Sequence, residues 1–175
     1  MALLRGVNVG GANKVPMPSL RRVAGSLGWR GARTHLASGN LVFDAEGEPE
    51  ALARDLRAAI AAAIGPDVAV LVLRAEAVRA ALRGCPYAPA EGKHVHAFFL
   101  RNDPVLDLAA LEAFRAPSED LVVAGRLAWL HAPEGIGRSR LAERLHKVVA
   151  GTDMTARNLN TLRALCEMVD DPGAG

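Results

Sequence analysis

Apolar residues along this chain recur with two alternating periods, one suited to strands and one to helices. Ala2 to Val9 is a β-rich run closed by Gly10-Gly11, which predicts a first strand. Leu20, Val23, Ala24 and Leu27 then fall at i, i+3, i+4 and i+7, with Pro18 near the first helical position and Gly28 as the stop, so a helix follows. Ala32 to Ala37 and Leu41 to Phe43 read as short strands joined across Ser38-Gly39-Asn40, whose Gly and Asn suit a tight turn. From Glu50 to Ile64, the residues Leu52, Leu56, Ala59, Ile60, Ala63 and Ile64 form one stripe. The acidic first turn suits the helix dipole, and Gly65-Pro66 ends the segment. Val68 to Leu73 closes the half as a strand.

The order is βαββαβ, the ferredoxin-like unit, and a similar order recurs. After a short helix (Val78, Ala81, Leu82) and a loop through Pro86 and Pro89 come strand His94 to Leu100, helix Leu106 to Phe114, strands Leu121 to Ala124 and Arg126 to His131, and helix Ser139 to Val149. Leu159, Leu162, Cys166 and Val169 then have helical spacing. These patterns predict an α+β protein of duplicated ferredoxin-like (βαββαβ) halves in one compact body, the second half ending in a helix. Residues 1–73 form the first half, 74–93 the connecting helix and Pro-containing loop, 94–169 the second half and 170–175 a frayed tail.

With 175 residues, 50% of them hydrophobic and 23% charged, the chain has a globular composition, and folding needs neither metal nor disulfide. Arg5 interrupts the apolar run Ala2 to Leu4 and no signal-peptide core follows, so a cytoplasmic protein without a membrane partner is expected. Cys85 and Cys166 have no CxxC spacing and are expected to be reduced thiols. Arg supplies 18 of the 21 basic residues, so counting Arg alone carries no weight. Charge placement says more. Residues 1–43 carry six basic groups and no acid, 44–137 nine basic and fourteen acidic, and 138–175 six and five, for net charges of +6, −5 and +1. An unopposed basic block fits an anion site, and equally a solvated surface balanced elsewhere in space.

Candidate chemistry gathers in that block. Arg5, Asn8, Gly10, Gly11 and Lys14 lie on a predicted strand, Gly-rich loop and helix start, an arrangement whose free backbone N–H groups can cradle an anion. It matches neither the Walker loop nor GxGxxG. Arg5 shares strand parity with Leu3 and Val7, and would point into the core unless Gly6 permits a bulge. In a βαββαβ unit strand 1 neighbours strand 3, so Gly10-Gly11 should approach Ser38, Gly39 and Asn40. In the second half Ser139 can cap a helix with Arg138 beside its positive end. Thr155 to Asn160 is read as the start of the last helix, with Arg157 and Asn158 placed for a carboxylate or phosphate. Each of these residues also has a structural alternative as a turn former, an ion-pair member or an N-cap.

The chain resembles a known bacterial family. Leu3-Leu4-Arg5-Gly6-Val7-Asn8-Val9-Gly10-Gly11, Asn13-Lys14-Val15, Met17, Thr34, Ser38-Gly39-Asn40 and Phe43 form one signature; Gly135, Gly137-Arg138-Ser139, Thr155, Arg157-Asn158, Asn160 and Thr161 form a second. Both resemble the family catalogued as domain of unknown function 1697. Cys85-Pro86-Tyr87 departs from it, standing where an Asn-Pro-Phe-like segment is usual. The resemblance implies a duplicated ferredoxin-like α+β body and assigns no reaction or cofactor. The two signatures are expected to face each other, bringing Arg5, Asn8, Ser38, Asn40, Arg138, Arg157 and Asn158 into one site for a small anionic, phosphorylated ligand. A nucleic-acid module is the alternative, disfavoured because aromatic residues are 4% and strand 3 offers only Phe43. A non-catalytic protein-interaction module is the other. His94, His96 and His131 could approach one another, but no Cys or carboxylate completes the set, so no metal site is expected there. No serine stands on a nucleophile elbow.

Overall fold

β1 (Ala2–Leu4) is short, and the reason lies in the backbone that follows. Gly6, Asn8, Gly10 and Gly11 all have φ between 57° and 83°, and left-handed backbone recurring at this density interrupts regular pairing, so the expected strand through Val9 ends at Leu4. After the loop come α1 (Met17–Ser26), β2 (Arg30–His35), β3 (Asn40–Asp44), α2 (Pro49–Ile64), β4 (Val70–Val72) and α3 (Ala75–Arg83) in the computed structural model, which describes residues 1–11, 13–88 and 91–171. The chain divides into two units, residues 1–79 with the segment from Ala164 onward, and residues 80–163.

In the first unit the strands form one antiparallel sheet in the order β2-β3-β1-β4. Ala2 lies opposite Leu41 on one side and Val72 on the other, so these residues, with Leu4 and Val70, share a face. That face packs on Leu20, Val23 and Ala24 of α1 and Leu56 and Ile60 of α2. Each large aliphatic side chain withdrawn from water there contributes about 1.5–3 kcal/mol. Both helices open with Pro in the first turn, where its missing N–H costs nothing, and Gly65 at φ 109° ends α2. Arg33 belongs to the opposite face. Its guanidinium donates to the carbonyls of Met168 and Asp171 (2.8 Å to the latter), at the C-terminal end of α6 (Leu159–Asp170).

The second unit contains β5 (Val95–Leu100), β6 (Val105–Leu106), α4 (Leu108–Phe114), β7 (Asp120–Ala124), β8 (Leu127–His131), α5 (Arg140–Val148), β9 (Val149–Ala150) and β10 (Met154–Asn158). Its main sheet has the order β10-β5-β8-β7 and is antiparallel throughout; β6 and β9 form a small separate pair. Phe98, Leu100, Ala128 and Leu130 pack on Leu141, Leu145 and Val148 of α5. Trp129 is also buried, Phe114 is half-buried, and Arg140 lies 5.6 Å above the Phe114 ring, within cation–π range.

The reading of Thr155 to Asn160 as a helix start is corrected. Met154 through Asn158 pair with Leu100 through His96 as β10, and α6 begins only at Leu159. A strand along this side of β5 satisfies main-chain N–H and C=O groups that would otherwise be buried alone, and that tertiary demand outweighs a polar local sequence. Leu106, assigned to a helix by its spacing, lies in β6, because Asp107 caps α4 by accepting the Ala110 N–H at 2.9 Å. Asp170, expected in a frayed tail, is the last residue of α6. Pro89 of the connecting loop and residues 172–175 of the tail lie outside the described residues.

Candidate functional site

The glycine-rich loop of the first unit is built around Asn8. Its Nδ2 donates to the carbonyls of Val15 (3.0 Å) and Ala37 (2.7 Å), its Oδ1 accepts from the Val15 N–H (2.9 Å), and its own N–H reaches the Asn13 carbonyl at 3.2 Å. Asn13 returns a bond to the Gly6 carbonyl at 3.2 Å. One carboxamide thus ties the loop to the segment before α1 and to the turn between β2 and β3. The turn meets the start of the loop, at Leu4, Val7 and Asn8, and not Gly10-Gly11. The Leu4 N–H donates to the Gly39 carbonyl at 2.8 Å, and Gly39 packs against Leu4 and Val7. Asn40 is fully buried and donates to the His35 carbonyl (2.8 Å) and Ser38 Oγ (3.1 Å), closing the turn. Arg5 continues the main-chain pairing by donating to the Ala69 carbonyl at 2.9 Å, while its side chain is exposed, as Gly6 permits. Gly10, Gly11, Lys14 and Ser38 are exposed as well. Two apolar side chains join them, Val9 and Leu36, the latter at φ 58°.

In the second unit, Ser139 caps α5 by accepting the Ala142 N–H at 2.9 Å, and Arg138 is exposed in the turn before it. Ser139→Ala is expected to cost about 1 kcal/mol in urea denaturation, the usual value of a lost N-cap, with an unchanged denaturant slope. Asn158, the last residue of β10, accepts the Thr161 N–H at 2.9 Å and so caps α6. Arg157 is not at a helix start: it sits within β10 opposite Ala97. Its side chain is 8% exposed, donates to the Ala156 carbonyl at 2.7 Å, and burial lowers its pKa to about 10.

The three histidines do not converge. His96 faces Leu130 across the ladder whereas His131 faces Val95, so their side chains leave opposite faces of the sheet. Among the described residues no group of three or more His, Cys, Asp or Glu side chains is arranged to hold a metal. His96 is half-buried, its Nδ1 has no hydrogen-bond partner among the described residues, and burial, with the charge of His94 second, lowers its pKa to about 4. Sequence reasoning did not single out Tyr87. Its hydroxyl donates to Asp120 at 2.9 Å beside the His131 ring, 5.3 Å away between centroids; burial and that bond push the phenol well above its ordinary pKa. Cys85 and Cys166 are free thiols.

A cleft of about 400 Å³ lies at the opposite sheet edge of the first unit, where β1 begins. Val42, Phe43, Val72 and Leu52 line it, with Arg30 and Arg74 among its polar residues. No motif marks it, because its walls come from separate segments between Met1 and Val169.

Two antiparallel four-stranded sheets, one beside a basic glycine-rich loop, define an α+β protein distinct from the doubly wound nucleotide binders. The chain belongs to the family described as "Protein of unknown function (DUF1697)", whose model matches residues 1–129. That span holds the first signature and ends before the second. Among solved structures the chain is similar to the conserved bacterial protein SP0830 from Streptococcus pneumoniae, at 25% identity over 96% of each chain and a TM-score of 0.66. Among curated proteins none matches. No helix among the described residues is long and apolar enough to cross a membrane.

Proposed function

We propose that this protein binds a small anionic, phosphorylated ligand on the loop of residues 5–14 beside the Ser38-Gly39 turn. The observation that carries this reading is the conformation of the loop. Gly6, Asn8, Gly10, Gly11 and Asn13 all adopt left-handed backbone, and Asn8 holds them in place between the exposed Arg5 and Lys14. Turns of this kind aim successive N–H groups into a concavity suited to an anion. A loop fixed before the ligand arrives loses little entropy on binding. The absence of any acid from residues 1–43 favours the same sign of ligand. The carboxamides of Asn8 and Asn40 are committed to scaffold bonds, and the contacts are assigned to the exposed residues Arg5, Gly10, Gly11, Lys14 and Ser38.

In the second unit Arg138 is exposed before α5, Ser139 and Asn158 cap helices, and Arg157 is buried within β10. The shared strand order of the two main sheets supports a duplicated ferredoxin-like body. A nucleic-acid module has less support, since Phe43 is stacked on Trp29 at 4.1 Å instead of offering a free platform for bases.

The test is a thermal-shift and calorimetric titration with pyrophosphate, ribose 5-phosphate and AMP at low and moderate salt. At least one should raise Tm, by roughly 3–6 °C at ten times its Kd. The double variant Arg5→Gln, Lys14→Gln should weaken binding at least tenfold, since hydrogen bonds to charged groups are worth about 1.5–3 kcal/mol each. No shift with any of the three, or an equal shift in the double variant, refutes the assignment.

A further inference from the structure

Leu36 stands where the backbone suits a different residue. Among the described residues three besides glycine have positive φ, namely Asn8, Asn13 and Leu36. Left-handed backbone is open to asparagine because its short side chain bonds locally, as those of Asn8 and Asn13 do to Val15 and Gly6. Leucine can form no such bond, and at φ 58° its side chain is 58% exposed, so little packing offsets the strain. Val9, on the glycine-rich loop, is 69% exposed. One exposed aliphatic side chain is ordinary on a protein surface, but these two are not scattered. Asn8 Nδ2 donates to the Ala37 carbonyl at 2.7 Å, and Val9 and Leu36 are each the chain neighbour of one partner in that bond. Val9 adjoins Gly10, and Leu36 is two residues from Ser38, so the apolar pair borders the positions assigned to phosphate.

We propose that Val9 and Leu36 form an aliphatic shelf for the organic part of the ligand, which is a phosphate monoester of an aliphatic alcohol. This rests on phosphate binding by the loop of residues 5–14 and names what the phosphate is attached to. The strain at Leu36 persists because its side chain is used in binding. Two branched hydrocarbon side chains offer neither donor nor acceptor to the hydroxyls of a sugar or the edges of a base, and a polar group desolvated against them without a partner costs affinity. Neither side chain carries a ring on which a base could stack. A hydrocarbon chain leaves no polar group unpaired, and it gains from each methylene withdrawn from water. Two side chains cover one short chain, which fits a free ester in solution better than a bilayer surface.

The test is calorimetric titration of the whole chain with methyl phosphate, butyl phosphate, 1-butanol and vesicles of phosphatidate in phosphatidylcholine. Butyl phosphate should bind at least fivefold more tightly than methyl phosphate, since full burial of one methylene is worth about fourfold and three are added. 1-Butanol should bind at least tenfold more weakly than butyl phosphate. The double variant Val9→Thr, Leu36→Asn should narrow the butyl-to-methyl ratio below twofold, while Leu36→Met, which keeps an apolar side chain, should retain it. Leu36→Asn alone suits left-handed backbone and should raise Tm by roughly 2–4 °C, which separates a lost preference from a lost fold. Equal affinity for the two esters overturns the aliphatic shelf and leaves phosphate binding intact, whereas binding of neither ester removes both. A preference that survives in the double variant overturns the assignment to Val9 and Leu36. A response confined to the vesicles overturns the free ester in favour of a membrane contact.

Discussion

Gly39→Ala is expected to destabilise the first unit by about 2–4 kcal/mol, the sum of a left-handed backbone penalty and an overpacked contact. Gly39 has φ 79°, and a Cβ built on it would stand 2.7 Å from both Leu4 Cβ and Val7 Cγ2. Neither atom can retreat cheaply. Leu4 is fully buried in the sheet core, and Val7, 1% exposed, is held just before the Asn8 staple. Gly10→Ala is the control: Gly10 has φ 58° with nothing within 4 Å of the added atom, so only the backbone penalty of about 1–2 kcal/mol applies. Urea denaturation followed by Trp29, buried in this unit, measures both variants. Equal losses would mean that the close approach of the turn to the β1 loop contributes nothing.

Acid should weaken the second unit through His96. A histidine whose folded pKa lies near 4, against an ordinary 6.5, is neutral in both states above pH 6.5 and contributes no pH dependence there. As pH falls below 6.5 the unfolded chain takes up a proton that the folded one refuses, so stability declines until the folded group titrates near pH 4. The total loss is about 3 kcal/mol, from 1.36 kcal/mol per pKa unit. His96→Leu removes the titration together with a nitrogen that has no partner among the described residues. Its stability should be flat in this term between pH 6.5 and 4, and at pH 7 equal to or above that of the parent. Trp129 fluorescence in a Trp29→Phe background reads the second unit alone. A parent and variant with parallel pH profiles would show that the imidazole protonates as readily folded as unfolded.

The elements that sequence reading captured are those whose burial is written in a single periodic stripe. Leu20, Val23 and Ala24, or Leu56 and Ile60, are apolar at helical spacing and lie buried on α1 and α2. β10 defeats that reading because its most buried positions, Thr155 and Arg157, are polar, while Met154 and Ala156, which pack on the core with Phe98 and Leu100, are only half-buried; β5, not local preference, makes the segment a strand. β1 was overextended for the converse reason, since Val7 and Val9 continue the apolar alternation while Gly6 and Asn8 turn the backbone out of it. In the loop the residue types were informative and the roles were not. Asn8 and Asn40 have polar groups equally fit for a ligand or a carbonyl, and only their distances to Val15, Ala37 and His35 identify them as scaffold. Arg33 belongs to no motif, because its partners at Met168 and Asp171 are remote in sequence.

The bond between Arg33 and the end of α6 also bears on how the nascent chain matures. All four strands of the first sheet lie within residues 1–79, yet the carbonyls that Arg33 serves emerge from the ribosome only after residues 80–163 have been made. At about 5–20 residues per second, translation of that insert takes on the order of several seconds. During this interval β2 holds a guanidinium with its final acceptors not yet synthesised. The part of the protein made first is therefore finished last, and a chain released before Met168 leaves this first unit without its last helical segment.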